Sequence, residues 1–391
     1  MSPKSYKTLL LALSTLAILS CADDTGIFPN AVTSTSESEA ILPNPISLAV
    51  DETNSQIVVA NSNVDIFFST GSLGVLTVDT SDPSTPSLAL SQVIEAPNFA
   101  GQMYFDDAND SLYVPFRQAT ETEDDLDQIR SYSLTAAGLT LVATGSVEPN
   151  PFGITGNAGS LYVVSNDILN VLDTSLGAIT TIDLTTAADA EIEDSNSEHV
   201  EDVVIDAARN RAYVSNAGGT FFVVDLASNA ITAAISGPES TRDLILDGDT
   251  LYALDPTTEL VWIFDVSEFT LPSSTPSSVD DSTFLLGVVS VGTNPSCMAL
   301  DSTDGRLYVA NSSDNTISVI DTVIQDEIAR ISVDPEDLTT FERSGDFPYA
   351  LALGTFGGTK YLFVTGFNDN SVVMIRTQTL SVVEVFPDNA L

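Results

Sequence analysis

The 391-residue chain is predicted to be all-β, a seven-bladed β-propeller of four-stranded antiparallel blades. Three observations predict it. A short apolar strand, of the form apolar–aromatic–Val in five copies, recurs seven times, starting at residues 56, 111, 160, 211, 250, 306 and 361, at spacings that suit propeller blades. Around each copy, β-branched and aromatic residues alternate with polar ones over runs of strand length. Helical spacing is absent.

The seven copies are "QIVVANS", "SLYVPFR", "SLYVVSN", "RAYVSNA", "TLYALDP", "RLYVANS" and "YLFVTGF". Upstream of most lies an apolar strand ending in Asp and a turn, as in "SLAVDETNS" and "MALDSTDG". Downstream comes a third strand, such as "TFFVVD" or "TISVID", and then a fourth, as in "DEIARISV". One such meander cannot bury both its faces, whereas seven arranged radially can, and closure protects the sheet edges. The repeats run in phase, innermost strand first. Closure therefore rests on packing between the first and last blades, without a borrowed strand. Val58, Tyr113, Tyr162, Tyr213, Tyr252, Tyr308 and Phe363 are expected at matching positions between neighbouring blades.

The N-terminus has a different character. Lys4 and Lys7 precede the apolar run "LLLALSTLAILS", which is too short for a membrane span and ends at Cys21. The order "ILSC" resembles the lipobox of bacterial lipoproteins, which implies lipidation of Cys21. Ala22 follows where a retention aspartate would sit, which implies outer-membrane sorting. The expected organisation is a signal peptide over 1–20, a flexible acidic, Ser/Thr-rich tether over 21–43 and the propeller over 44–391. Cys297 remains as a lone thiol in the apolar run "SCMALD" and is expected to be buried and inert.

"LYVANSSDNTISVIDT", from Leu307, is similar to the YVTN-type β-propeller repeat of bacterial and archaeal surface proteins. The likeness is close in blade six, fair in blades one, four and seven, and loose elsewhere. It is specific for fold and poor for function.

Charge narrows the partners. There are 55 acids against 12 bases, a net of −43, which repels phosphate backbones and anionic lipid surfaces. Nucleic acid is set aside, and contact with a membrane is expected only through the lipid anchor. Acidic loops at 117–128, 185–202 and 334–349 fall on the face shared by the connections from strand two to three and from strand four to the next blade.

A polar residue recurs before the first strands: Asn44, Asn98, Asn150, Asn294, His199 and Asp346, with Ser240 in the same slot of blade five. Two readings stand. These residues form a ligand-binding collar at the channel mouth, or Asn simply serves turns that need unusual backbone angles. His199, the single histidine, lies among Glu198, Glu201 and Asp202. "DDANDS" and "DSTDG" resemble fragments of calcium loops but fall in hairpin turns. Calcium is thus a possible ligand, and no organic cofactor is expected. No Ser/His/Asp set assembles, so the sequence points away from an enzyme.

The leading expectation is a monomeric outer-membrane lipoprotein, periplasmic or surface-exposed, that binds an envelope protein, a glycan or a small ligand. The alternative is a propeller hydrolase of the lactonase or gluconolactonase kind, working with channel Asn, Asp and Glu and in some cases a divalent cation.

Overall fold

The computed structural model describes residues 42–62, 70–117, 127–184, 201–267, 277–279, 284–333 and 346–387. They form seven antiparallel sheets: blade 1 (Pro45–Ala96), blade 2 (Tyr104–Ser146), blade 3 (Pro151–Asp183), blade 4 (Val203–Ser236), blade 5 (Asp243–Ser290), blade 6 (Pro295–Ser332) and blade 7 (Pro348–Phe386). Each blade is a meander of consecutive strands. First strands touch the first strands of both neighbouring blades all the way round, which closes the ring about a central channel. Among the described residues the sole helical element is a 3₁₀ turn at Asp107–Asn109.

Seven apolar clusters fill the seven gaps between blades. The seven matched second-strand residues are distributed one per gap. Val58 lies between blades 1 and 2 and Tyr113 between 2 and 3. Tyr162, Tyr213, Tyr252 and Tyr308 continue the series, and Phe363 completes it between blades 7 and 1. None is more than 7% exposed. Burying a side chain of this size contributes on the order of 2 kcal/mol.

Closure uses no borrowed strand. The Asn44 N–H donates to Asn370 Oδ1 at 2.8 Å and the Thr355 N–H to Glu52 Oε1 at 2.6 Å, both across the seam between blades 7 and 1. Leu42, two residues before the expected domain start, is buried in the same seam.

The structure departs from a plain four-stranded repeat in two places. Ser277–Val279, from the connection between the third and fourth strands of blade 5, pairs in parallel with the outer strand of blade 4, Ala230–Ser236. An outer strand presents a row of unpaired N–H and C=O groups, and this long connection reaches one. The first strand of blade 2 is only Tyr104–Asp106, continued by an isolated bridge from Ala100 to Phe116.

The recurring Asp at strand ends has a local cause. Asp79, Asp173 and Asp265 end third strands, and each carboxylate accepts the N–H two residues on, from Ser81, Ser175 and Ser267. Of the calcium-like fragments, "DSTDG" behaves the same way, whereas in "DDANDS" Asp106 Oδ2 accepts from the Asn109 side chain at 2.8 Å. Asp301 Oδ1 accepts from the N–H groups of Thr303 and Asp304, and both its oxygens accept from Lys360 Nζ at 2.6 Å. Much of the acidity is therefore turn chemistry.

Candidate functional site in the central channel

The first residues of the inner strands carry the channel wall. A cavity of about 170 Å³ opens there, lined by residues from all seven blades, among them Ser47, Gln102, Phe152, Glu201, Arg242, Ser296 and Tyr349. It lies at the end of the channel where first strands begin, the face onto which the connections between blades open. The pairs in matching register in blades 1, 3, 6 and 7 are Ile46–Ser47, Phe152–Gly153, Ser296–Cys297 and Tyr349–Ala350, all lining the cavity except Gly153. Blades 4 and 5 place Glu201–Asp202 and Arg242–Asp243 in that register, so one side of the channel is charged.

Three of these residues tie consecutive blades together. Asp202 of blade 4 accepts the N–H of Leu244 in blade 5 at 2.9 Å, and Asp243 of blade 5 accepts the N–H of Met298 in blade 6. The Cys297 thiol of blade 6 accepts from Leu351 in blade 7. Inner-edge amides that would otherwise lack a partner are satisfied in this way.

Asp202 and Asp243 are both buried and hydrogen-bonded to each other. Burial first, and then the charge of Asp202, holds the Asp243 carboxyl well above the usual range; burial also raises Asp202. Two carboxyl groups in contact disfavour double ionisation, which favours a shared proton between them. Burial and the neighbouring Asp243 push the Cys297 thiol up as well, so it stays protonated. The thiol is half-buried and lines the cavity rather than lying in the core expected from its apolar surroundings.

Arg242 is held on two sides. Its Nε lies 3.3 Å from Glu201 Oε2, and its Nη2 donates to the Tyr349 hydroxyl at 2.9 Å. Burial opposes its charge, but Tyr349 and Glu201 outweigh burial and the guanidinium stays protonated. Ser296 Oγ donates to the carbonyls of Pro348 and Tyr349, fixing the wall between blades 6 and 7. Two lining side chains have no hydrogen-bond partner among the described residues: Ser47, only 6% exposed, and the amide of Gln102.

The predicted collar residues occupy the approach to this wall. Asn44, Asn150 and Asn294 adopt left-handed backbone angles, with φ of 50°, 58° and 53°. In blades 2 and 7 that conformation falls one residue later, at Phe99 and Phe347, so Asn98 and Asp346 stand outside the shared register. Asn150 Nδ2 donates to Asn166 Oδ1, and Asp346 accepts from Asn315 and Asn368. These five residues lie two to four positions upstream of the lining residues, and none of them lines the cavity. His199 falls outside the described residues, as do most of the three acidic loops. Among the described residues, no group of three or more His, Cys, Asp or Glu is arranged to hold a metal ion.

The inward charge of blades 4 and 5 does not follow the repeated Asn, which marks only the turns before the strands. The usable signal was "VEDVV" and "TRDLI", which put charge where the other blades carry apolar or small residues.

A ring of seven four-stranded meanders around a lined channel defines the class: a seven-bladed β-propeller. No protein family and no curated protein matches the chain by sequence. Solved structures match it by shape. Hydrazine synthase from Kuenenia stuttgartiensis superposes with a TM-score of 0.63 at 14% identity, covering 89% of this chain and 99% of that one. The computationally designed Ika8 protein superposes with a TM-score of 0.54 at 11% identity, covering 89% and 88%. Identities this low speak for the fold alone.

Proposed function

We propose that the chain is a binding module whose ligand enters the central cavity from the face of the inter-blade connections. The observation that supports this reading is the convergence of polar side chains with unused hydrogen-bonding capacity, Ser47 and Gln102, on a cavity lined by all seven blades. Polar side chains that converge on a cavity with hydrogen-bonding capacity to spare mark a place for a partner. A thermal-shift screen against small neutral, cationic and anionic compounds tests it. Saturable stabilisation by one class is expected, and Gln102→Trp, which plugs the cavity, should abolish it. Stabilisation that persists in Gln102→Trp would place the site elsewhere. Calcium alone should leave Tm unchanged; a saturable calcium shift would move the reading to the hydrolase alternative.

The module is placed at the cell envelope, anchored by lipid on Cys21. The support is the order of Lys4, Lys7, the apolar run and "ILSC", together with the resemblance to YVTN-type surface repeats. Cys21→Ala should release the chain into the soluble fraction or leave its leader uncleaved. A processed, membrane-bound variant would refute the anchor.

A further inference from the structure

We infer that the cavity is a site for a small, neutral, polyhydroxylated ligand, a sugar ring either free or at the end of a glycan, held by Ser47, Gln102, Glu201 and Arg242. The inference rests on the binding role proposed above and adds the chemistry of the ligand.

The first argument is the sign of the unused hydrogen bonds. Ser47 and the half-buried Gln102 line the cavity, and neither side chain forms a hydrogen bond among the described residues. Arg242 uses Nε and Nη2 on Glu201 and Tyr349, which leaves Nη1 without a partner among the described residues. Glu201 Oε2 faces Arg242 Nε at 3.3 Å, and a carboxylate has acceptor capacity beyond that one contact. The cavity thus presents free donors and free acceptors together. A hydroxyl is both, so adjacent hydroxyls on one ring fit a carboxylate standing beside a guanidinium.

The second argument is charge. Glu201 and Arg242 already compensate each other at 3.3 Å. A cation entering would meet the guanidinium. An anion would meet Glu201, the acidic pair behind it and a chain of net charge −43. A neutral ligand completes the hydrogen bonds without leaving a desolvated charge unpaired. The third argument is shape. The rings of Phe152 and Tyr349 line the same cavity and offer apolar surface to the C–H faces of a sugar. The cavity, about 170 Å³ and open to solvent at one side, has room for a single sugar ring.

Saturation-transfer NMR on the full chain tests the assignment, with D-glucose, D-galactose and D-mannose as neutral probes, choline as the cation and succinate as the anion. Saturable transfer to at least one hexose is expected, with none to choline or succinate. Gln102→Leu keeps the volume and removes the amide. It should weaken hexose binding about tenfold, the equivalent of about 1.4 kcal/mol, with Tm unchanged. Lactose and maltose distinguish the sources: binding through their terminal ring assigns a glycan end, and binding of the free hexose alone assigns a free sugar. If choline or succinate saturates and Gln102→Leu weakens it, the cavity remains a binding site and the sugar assignment is wrong. If a hexose binds wild type and Gln102→Leu equally, the cavity itself is refuted. Absence of transfer to all three hexoses overturns the inference.

Discussion

The gaps between blades and the wall of the channel are both seven-fold arrays, and they differ in what repeats. In the gaps the chemistry repeats: Tyr at five matched positions, Val58 and Phe363 at the other two, all buried. On the wall only the backbone repeats. The same register holds Ser47, Gln102, Gly153, Asp202, Asp243, Cys297 and Ala350. The gap positions answer one demand, filling space between two sheets, and that demand is the same seven times. The wall positions share a single cavity, so each can differ. In a ring of repeats, uniformity marks the scaffold and departure from it marks the site.

The largest expected effect tests the uniform array. Tyr308→Ala removes a fully buried ring between blades 6 and 7 and should cost about 3–5 kcal/mol in denaturant unfolding. Ser47→Ala, on the wall, removes a hydroxyl without a partner and should stay within about 0.5 kcal/mol. Equal costs for the two would erase the distinction between scaffold and wall.

An intermediate effect comes from the buried acids. The raised carboxyl of Asp243 means that the folded chain holds a proton which the unfolded chain releases near the ordinary carboxylate value of about 4. Between that value and the raised one the folded state binds more protons, so stability falls as pH rises. Asp202 and Arg242 act on the group directly, Cys297 lies beside it, and Glu201 and Tyr349 hold Arg242 in place. Asp243→Asn keeps an acceptor for Met298 and cannot ionise. Its Tm should vary less with pH across that window, by a slope of up to about 1.4 kcal/mol per pH unit. Parallel wild-type and variant profiles would show that the pair does not share a proton.

The smallest effect concerns the approach to the wall. Asn294 sits at φ 53°, which Gly adopts freely and Ala does not. Asn294→Ala should cost about 1 kcal/mol and Asn294→Gly a few tenths, read by thermal unfolding. Identical losses would point to the Asn side chain rather than the backbone angle.

The fold was legible because its signal is redundant. Seven copies of one strand pattern set blade number, strand order and the matched positions between blades, and the open closure followed from repeats in phase. The extra strand at Ser277–Val279 was not legible, since parallel pairing with a neighbouring blade leaves no period in the sequence. The wall was half legible. Asn44, Asn150 and Asn294 marked the turns into three inner strands, but counting from them misplaced blades 2 and 7 by one residue, where Phe99 and Phe347 take the left-handed angle. The lining residues themselves carry no repeat. They become visible only once the strands are in register and the charged pairs of blades 4 and 5 stand out against their apolar counterparts.

The two special seams have unequal consequences for how the ring comes apart. Between blades 4 and 5 a segment of one blade is woven into the sheet of the other, and Asp202 bonds across to Leu244. Between blades 7 and 1 there is packing, which includes Leu42 and Phe386, and a few side-chain hydrogen bonds, with no shared strand. The molecule is a bracelet with an unfastened clasp on one side and a stitched joint on the other. Because each four-stranded meander is one stretch of chain, the clasp could be moved by circular permutation to another junction between blades without rethreading the fold.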